Sequence, residues 1–498
     1  MDGLNEAAAM ILQHVDLVKG GTQGAPKFPQ PTTFQFLWQA HKRHDGPQFG
    51  QAVTLTLDNI CQGGIYDHLG GGFARYSTDE VWLAPHFEKM LYDNALLIDL
   101  LTDVWQVTGT PLYRVRVQET IAWALREMRS SEDGPFAFAS ALDADSEGVE
   151  GKFYVWTEAE IDEGLGPDAP AFKEAYDVTP RGNWEGKTIL NRSHDLRFGP
   201  DDAEEGLRDS RGKLLKIRDG RIRPQRDDKV LADWNGLMIA ALAKAGAVFD
   251  EPAWIHTAEA VFDFITATMT SAGRLRHVWC AGRLNHPAVL DDYANMSRAA
   301  LVLHGVTGKG DYLARAEAWT GIVNTHYWDG DAKGYFLGAD DTDDIIQRSK
   351  TIHDNAVPSG NGVMADVLAR LFYLTGEEAH RERAEQLFHA IAAKESRGFA
   401  HQPTLLNGFE LLETGRQVVI VGEAEDTATA ALRRVVFDGG LMNRIVVQLP
   451  ADAALPKGHP AHGKGLVDGR PAVYVCAGPT CGLPVTDTKV LREELRRL

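Results

Sequence analysis

Apolar residues recur along most of this chain at the three- and four-residue spacing that is typical of amphipathic helices. Four segments share one pattern: an acidic residue, a polar or aromatic residue, a small residue and an apolar run. They begin at Asp93, Asp233, Asp292 and Asp354. Each predicts a helix start with the aspartate as N-cap, because its carboxylate can accept a hydrogen bond from a free backbone N–H.

A second pattern recurs about one helix length beyond these starts. Thr-Gly ends the apolar run at Thr108-Gly109, Thr307-Gly308 and Thr375-Gly376, and a looser version stands at Asp250-Glu251-Pro252. Glycine after an apolar helix is a stop signal, and helical periodicity resumes beyond it. Each unit is therefore predicted to be a helical hairpin.

The two helices of a hairpin differ in charge, which predicts two concentric rings. Gly236–Phe249 contains Lys244 as its one charged residue, whereas the second helix of another unit contains Arg381–Glu385. A helix that is buried on most sides is apolar all round, whereas a helix with one solvent-exposed face carries charged residues on that face. We therefore expect the first helices inside and the second helices outside.

Further helices bring the number of hairpins to six. Residues 31–44 and 48–61 predict a fifth hairpin, and helix candidates at residues 4–18 and 425–437 are predicted to close the sixth. The sequence thus predicts a mainly α protein in which residues 1–415 form an (α/α)6 barrel.

Two segments depart from the helical pattern. Residues 134–229 are predicted to be a β-containing insertion packed over one end of the barrel, with a strand at Lys152–Trp156. Residues 416–498 read as strand, glycine turn, helix and strand, which predicts a small βαβ appendage packed on the barrel.

The net charge of the chain argues against polyanionic partners. The 498 residues include 51 basic and 70 acidic side chains, a net charge of −19, which repels nucleic acid and anionic lipid. No stretch approaches the roughly 20 apolar residues of a membrane helix, and the first residues do not resemble a signal peptide. We expect a cytoplasmic protein with a neutral or cationic small-molecule substrate, and no nucleic-acid or membrane partner.

The four cysteines are too few for a disulfide framework in a chain of this length. Cys476 and Cys481 have four residues between them, which matches neither a redox pair nor a zinc half-site. They are predicted to be packed or idle thiols. No metal site and no cofactor are predicted.

The loop before the first repeated start holds the densest set of candidate functional groups. It combines a triple glycine with two histidines, an arginine, a glutamate and several aromatic residues. Segments that precede inner helices should converge on one end of a barrel. His86 is predicted to be a general acid or base, with a buried structural histidine as the equal alternative. His353 occupies the comparable position before Asp354 and could form a pair with it.

Carboxylates and aromatic residues supply the other candidates. Glu88 and Asp145 are predicted to be catalytic carboxylates, since helix capping does not explain them. Asp143–Gly148 begins like a calcium loop, but Tyr154 stands where such a loop needs glutamate, so a turn exposing acids over the barrel mouth is favoured. The predicted substrate-binding residues are His68, Arg75, Tyr76, Asp93, Asp143, Trp184, Glu185, Trp234, Asn235, Asp292 and Asp354.

Several motifs follow one another along almost the whole chain. They are Ala25–Pro29, Gly70–Tyr76, Pro85–Asn94, Asp143–Trp156, Gly182–Gly186, Trp234–Gly236 and Pro358–Asn361. In this order they closely resemble the YyaL-like thioredoxin-domain-containing family, whose animal member is a spermatogenesis-associated protein.

The resemblance implies an N-terminal thioredoxin-like domain followed by a barrel similar to six-hairpin glycosidases and N-acylglucosamine 2-epimerases. This chain is expected to start just before the barrel, so a separate thioredoxin-like protein is a candidate partner. The leading hypothesis is a sugar epimerase or isomerase in which His86 and His353 exchange a proton beside a carbonyl. The alternatives are a glycosidase that uses Glu88 or Asp145, and a non-catalytic scaffold for a thioredoxin-like protein.

Overall fold

The computed structural model describes residues 2–44, 46–199, 201–342, 346–392, 399–423, 425–453, 455, 459–478 and 480–497. Its helices are α1 (Asp2–Leu12), α2 (Pro31–His44), α3 (Pro47–Gln62), α4 (Leu91–Thr108), α5 (Pro111–Glu127), α6 (Glu158–Leu165), α7 (Ala169–Ala175), α8 (Asp201–Arg218), α9 (Ala232–Phe249), α10 (Pro252–Thr268), α11 (Leu290–Thr307), α12 (Gly310–His326), α13 (Gly360–Thr375), α14 (Glu378–Ala392), α15 (Pro403–Thr414), α16 (Thr427–Asp438) and α17 (Thr488–Arg496).

The strands are mostly very short and form small sheets beside the helices. They are β1 (Tyr76–Ser77), β2 (Pro85–His86), β3 (Lys89–Met90), β4 (Ala141–Leu142), β5 (Asp145–Ser146), β6 (Val149–Glu150), β7 (Arg226–Asp227), β8 (Val230–Leu231), β9 (Thr270–Ser271), β10 (Arg274–Cys280), β11 (Arg283–Pro287), β12 (Arg416–Val421), β13 (Arg444–Leu449), β14 (Ala472–Ala477) and β15 (Thr480–Cys481).

The inner ring closes in the order α2, α4, α9, α11, α13 and α15, and α15 packs back on α2. The helices α3, α5, α10, α12 and α14 pack outside this ring, and α1 takes the sixth outer position against α2 and α3. Inner and outer helices alternate along the chain, so the inner helices share one direction. The predicted mainly α fold with an (α/α)6 barrel is confirmed.

The helix pair that closes the ring differs from the prediction. The inner helix α15 takes the place that was expected for residues 425–437, and α1 ends at Leu12 rather than near residue 18. Residues 425–437 instead contain most of α16, whose buried Leu432 and Val435 pack on the C-terminal sheet. The apolar face of this helix therefore has a partner outside the ring.

The repeated aspartates are not N-caps, contrary to the prediction. The N-cap residues of α4, α9 and α11 are Met90, Leu231 and Val289. Asp93, Asp233 and Asp292 lie inside the first turn of these helices. Asp354 precedes α13 altogether, and that helix is capped by Ser359, whose hydroxyl accepts a hydrogen bond from Gly362 N.

Buried asparagines near the helix starts hold neighbouring loops through hydrogen bonds to their backbone. Asn94 accepts a hydrogen bond from Phe73 N at 2.7 Å and donates to Phe73 O at 3.0 Å. Asn235 binds both backbone groups of Phe138 in the same way, at 2.9 and 3.0 Å. Each side chain thus replaces a strand partner for its loop, which fixes the loop against the helix.

The insertion between α5 and α9 is more helical than predicted, because it contains α6, α7 and α8. The prediction of a strand at Lys152–Trp156 is wrong. Tyr154 N donates a hydrogen bond to Gly151 O at 2.8 Å, which closes a turn. A hairpin of β5 and β6 precedes that turn, with Asp145 opposite Glu150. The insertion has its own core, which includes Trp156, Ile161, Phe172, Tyr176 and Leu214.

The C-terminal unit confirms the predicted βαβ element. β12 and β13 are parallel, with Val418 opposite Val446, and α16 connects them. β14 then pairs antiparallel on the other edge of β12, giving the order β13, β12, β14, β15. Val419 and Ile445 of this sheet belong to the core of the barrel, so the unit is packed directly on it.

Cys476 and Cys481 form a disulfide, so the prediction of two packed or idle thiols is wrong. The two residues stand directly opposite each other in the β14–β15 hairpin, with Cα atoms 4.0 Å apart. The hairpin register, which the spacing did not reveal, brings them within bonding distance. Cys61 and Cys280 are free.

In the part of the chain that the structure describes, no helix is both long and apolar enough to cross a lipid bilayer.

Candidate functional site

The long connections of the barrel lie at the N-terminal ends of the inner helices, where α4, α9, α11 and α13 begin. At their other ends, short turns lead to the outer helices through Gly109, Gly308 and Gly376, all in the left-handed conformation. Polar side chains therefore concentrate at one end. We call the following group the mouth cluster: Arg75, His86, Glu88, Tyr92, Asp93, Glu150, Asp233, Trp234, His277, Asp291 and Asp292.

His277 of β10 is held in a fixed orientation. Its Nδ1 lies 2.9 and 3.0 Å from the two carboxylate oxygens of Asp292. Asp292 is fully buried and also accepts hydrogen bonds from Asp233 N at 3.1 Å and Val289 N at 2.8 Å. The side chain of His277 is 28% exposed, and its Nε2 has no hydrogen bond to a described residue. That nitrogen can therefore face a ligand.

Burial and neighbouring charges shift the pKa values of two of these groups. Burial opposes a charge on His277, but the hydrogen bond and charge of Asp292, with help from Asp233 and Asp291, raise its pKa to about 9. Burial and the charge of Asp292 raise the pKa of Asp233 well above its usual range. Two groups with strongly raised pKa values thus lie beside each other, which is a frequent property of functional sites.

Three carboxyl oxygens of the mouth cluster have no hydrogen-bond partner among the described residues. They are Oδ2 of Asp93 in α4, Oδ1 of Asp233 in α9 and Oδ1 of Asp291 in α11, and all three atoms are buried. Burial raises the pKa of Asp93 well above its usual range. Buried polar atoms without partners are rare, and a ligand with hydroxyl groups would satisfy these oxygens.

A second histidine, His86 of β2, lies between two glutamates. Its Nδ1 is 2.7 Å from Glu150 Oε1, and its Nε2 is 3.7 Å from Glu88 Oε2. The ring of Tyr76 stacks on the imidazole, with centroids 5.1 Å apart. Arg75 binds Glu88 at 3.2 Å. The β5–β6 hairpin delivers Glu150, so the insertion contributes directly to the mouth cluster.

Tyr92 connects the His86 group with the His277 group. Its hydroxyl lies near Arg75, whose pKa it raises, and its ring meets Trp234 edge to face with centroids 4.7 Å apart. Trp234 is half-buried and follows Asp233 directly in α9. The structure thus brings together seven residues that the sequence had named as candidates: Arg75, Tyr76, His86, Glu88, Asp93, Trp234 and Asp292.

Two other residues that were predicted to bind substrate, His68 and Asn235, are buried and contact backbone groups instead. His68 Nε2 lies 3.0 Å from Gly63 O, and burial followed by the charge of Arg116 lowers its pKa well below the usual value. It lines a separate cavity of about 30 Å³ beneath the insertion, large enough for little more than water. Asn235 is occupied by the backbone of Phe138.

The predicted residues of the insertion are exposed or half-buried. Asp143 and Asp145 are exposed at the β5–β6 hairpin, which agrees with a turn that presents acids. Trp184 packs on Phe87 with centroids 5.6 Å apart, and Glu185 is exposed in the adjoining turn.

The pair at residues 353 and 354 lies beside α13 and α15. Asp354 accepts hydrogen bonds from Ser359 N at 2.8 Å and Thr404 N at 2.7 Å, which ties the starts of these two helices together. The side chain of His353 is exposed, with its ring centroid 6.1 Å from that of His401.

Sequence reasoning missed His277 and Glu150 and did not assign Asp233 to the site. Both missed residues lie in hairpins, where the register decides which side chain faces the mouth. A signal was present for His277, because it lies in a short segment, Arg274–Cys280, that interrupts the helical pattern and ends shortly before a repeated helix start.

Two groups of side chains have the composition of a cation site. Single ligand atoms of Asp233, His277 and Asp292 lie within 4.8 Å of one another, and His326 forms a similar group with the exposed Asp340 and Asp341. A metal ion would have to displace the proton of His277, and the raised pKa of that imidazole opposes this.

The chain is similar in sequence to two mammalian proteins of the same name, although no protein-family model matches it. Human spermatogenesis-associated protein 20 is 31% identical over 541 residues, which cover 96% of this chain and 67% of the human protein. The mouse protein of that name is 30% identical, with the same coverage of both chains.

Solved structures with a similar fold include two sugar-converting enzymes. A D-mannose isomerase superimposes with a TM-score of 0.51 and 11% identity, covering 79% of this chain and 85% of the isomerase. The cellobiose 2-epimerase of Bacillus thermoamylovorans B4167 gives a TM-score of 0.50 and 10% identity, covering 79% and 88%. At such low identity, the likeness establishes the barrel fold alone.

Proposed function

This chain belongs to the spermatogenesis-associated protein 20 family, and we propose that it is a sugar isomerase or epimerase whose active site is the mouth cluster. The observation that carries the proposal is the grouping of His277, Asp292 and Asp233. A protonated imidazole that is oriented by a buried carboxylate is suited to general acid catalysis. The barrel shared with a mannose isomerase and a cellobiose epimerase supports a sugar substrate by analogy of fold.

In the proposed reaction, His277 donates a proton from Nε2 to the carbonyl oxygen of the open-chain sugar. A base removes the proton from the neighbouring carbon, which gives an enediol. His86 is proposed as this base, because Glu150 at its Nδ1 orients the ring and leaves Nε2 to accept a proton. Protonation of the same carbon from the opposite face, with return of the hydroxyl proton to His277, gives the epimer. Protonation of the other enediol carbon, with loss of the proton from the hydroxyl on the first carbon, gives the isomer.

The remaining side chains of the mouth cluster are proposed to hold the sugar. The buried oxygens of Asp93 and Asp233 can accept hydrogen bonds from sugar hydroxyls or, when protonated, donate to them. The half-buried ring of Trp234 offers an apolar face to the sugar ring.

A glycosidase is the second candidate, and one observation favours it. Asp233 and Asp292 place two carboxyl groups with oxygens within 4.8 Å, and the raised pKa of Asp233 suits the acid that glycoside hydrolysis needs. The sequence had suggested Glu88 or Asp145 for this chemistry. Release of an aryl alcohol from activated aryl glycosides would identify this activity.

The test is turnover of a panel of aldoses, ketoses and disaccharides, with product separation by chromatography. We expect His277→Gln and Asp233→Asn to lower kcat/KM by about 100-fold or more, as for the loss of a general acid. His256→Gln on the exposed face of α10 is the matched control and should leave turnover unchanged. His86→Ala should also abolish turnover, and comparison of His353→Ala with His277→Gln decides which histidine is the acid.

Unchanged turnover by His277→Gln would contradict the assignment of the acid. The absence of turnover on every sugar would contradict the proposed function itself. In that case, capture of a thioredoxin-like protein by the intact chain would favour the scaffold role that the sequence left open.

A further inference from the structure

A second cavity lies inside the barrel, and its lining extends from Pro31 and Thr404 at the starts of α2 and α15 to Val306 and Leu374 near the ends of α11 and α13. Its volume is about 230 Å³, and all six inner helices contribute to its lining. Residues of the C-terminal unit between Phe437 and Val446 line one end of it. We call this cavity the axial chamber.

The axial chamber carries more positive than negative charge, although the whole chain has a net charge of −19. Five basic and three acidic side chains line it, an excess of two positive charges. These side chains are Lys42, Lys244, Arg298, Arg370 and Arg444, with Asp99, Asp103 and Asp366.

The three acidic side chains of the lining form ion pairs with three of its five basic side chains. Asp99 lies 2.8 Å from both Lys244 Nζ and Arg298 Nη2. Asp366 accepts a hydrogen bond from Arg370 Nε at 2.8 Å.

The third acid has two partners of its own. Asp103 is bound by Lys244 at 2.5 Å and by the amide of Gln35 at 2.5 Å. The nearby Arg43 is paired with the buried Glu410 at 2.5 Å. These pairs leave Lys42 and Arg444 without a counter-charge in contact.

Lys42 and Arg444 both have N–H groups without an acceptor among the described residues. Lys42 Nζ makes no hydrogen bond or ion pair with any residue in the described ranges. Arg444 donates through Nη1 to the carbonyl oxygens of Val436 and Gly439, whereas its Nε and Nη2 have no partner among the described residues.

Burial makes these two charges costly. It lowers the pKa of Lys42 to about 8, against the influence of Asp103 and together with that of Arg444. It also lowers the pKa of Arg444 to about 10. Both groups remain protonated near pH 7, so an anion between them would relieve their desolvation and their mutual repulsion.

Two amides in the lining also lack partners. Gln39 Oε1 and Asn407 Oδ1 are buried without a hydrogen bond to a described residue. A side-chain amide can turn its NH₂ group to where its oxygen stood, so each can offer donors to a ligand.

We propose that the axial chamber binds a small molecule carrying a phosphate dianion, held by Lys42 and Arg444. The two charges of such a group match the excess of two positive charges in the lining. A guanidinium with two free N–H groups suits phosphate oxygens, and the lysine adds a mobile point charge. The site is separate from the mouth cluster and does not depend on the proposed function. Its ligand also differs from the neutral or cationic molecule expected from the net charge.

Isothermal titration calorimetry of the intact chain at constant ionic strength tests the proposal, with inorganic phosphate, glucose 6-phosphate and glucose as ligands. Lys42→Met keeps the apolar stem and removes the charge, so it should fold with an unchanged or higher Tm. We expect this variant to bind the phosphate ligands about 10-fold more weakly or worse. Lys216→Met, on the exposed face of α8, is the matched control and should bind as the unmodified protein does.

Binding of either phosphate ligand that weakens in Lys42→Met supports the proposal. Weakened binding of inorganic phosphate identifies the phosphate group alone as the ligand, and weakened binding of glucose 6-phosphate alone identifies a sugar phosphate. The proposal is overturned if neither ligand binds at about 10 mM, or if both bind equally to the Lys42→Met variant and the unmodified protein. Arg444→Gln provides a second variant with the same expected loss of affinity.

Discussion

At the scale of single residues, the sequence found the part of the mouth that is contiguous in the chain. Arg75, His86 and Glu88 belong to one loop, so their proximity could be predicted from their spacing. His277 and Asp292 come from different elements, and only the pairing of β10 with its neighbours shows which side chain faces α11. Glu150 was missed for the same reason, because its position depends on the β5–β6 hairpin.

The raised pKa of His277 makes its contribution to stability depend on pH. The folded state holds the proton more tightly than the unfolded state, whose histidine pKa is about 6.5. The stabilisation is therefore fully present below about pH 6.5 and is lost as the pH rises through about 9. Relative to His277→Gln, the unmodified protein should lose on the order of 3 kcal/mol of unfolding free energy between these limits.

Urea denaturation of both proteins at a series of pH values from about 6 to about 10 measures this difference. His256→Gln is again the control and should show no such trend relative to the unmodified protein. A difference between His277→Gln and the unmodified protein that stays constant with pH would show that the Asp292 contact does not raise the pKa of His277.

At the scale of elements, the helical repeats were predictable because each hairpin has its own apolar period and glycine stop. The helix starts were misplaced, since the capping positions of α4, α9 and α11 hold Met90, Leu231 and Val289, which carry no capping signal. The sequence also did not predict how closely the inner helices pack. A Cβ at Gly236 would lie 2.7 Å from the backbone of Asn295, so α9 approaches α11 more closely than other residues would allow.

The buried asparagines give a prediction about loop attachment. Asn235→Ala should lower the free energy of unfolding by about 3 kcal/mol, because it leaves both backbone groups of Phe138 buried without partners. Asn295→Ala is the matched control in α11, where Oδ1 has no hydrogen bond to a described residue, and its loss should be clearly smaller. Chemical denaturation compares the two variants. Equal losses would mean that the loop contact of Asn235 contributes nothing specific.

At the scale of the whole molecule, the barrel was predictable from repeats, whereas its closure was not. Ring closure joins α15 to α2, which are distant in sequence, and no local pattern distinguishes α15 from α16. The βαβ unit was recognised from its two valine-rich strands. Its position against the barrel, where Phe437 and Arg444 line the axial chamber, depends on packing between distant segments.

The central claim is that the mouth cluster transfers a proton to and from sugar carbon, and solvent deuterium measures this directly. With a sugar that the protein converts, in D₂O, NMR should find deuterium on the product carbon next to the carbonyl. Folded His277→Gln should form almost no deuterated product. A product that carries no deuterium, or equal incorporation by the variant, would contradict proton transfer at this site.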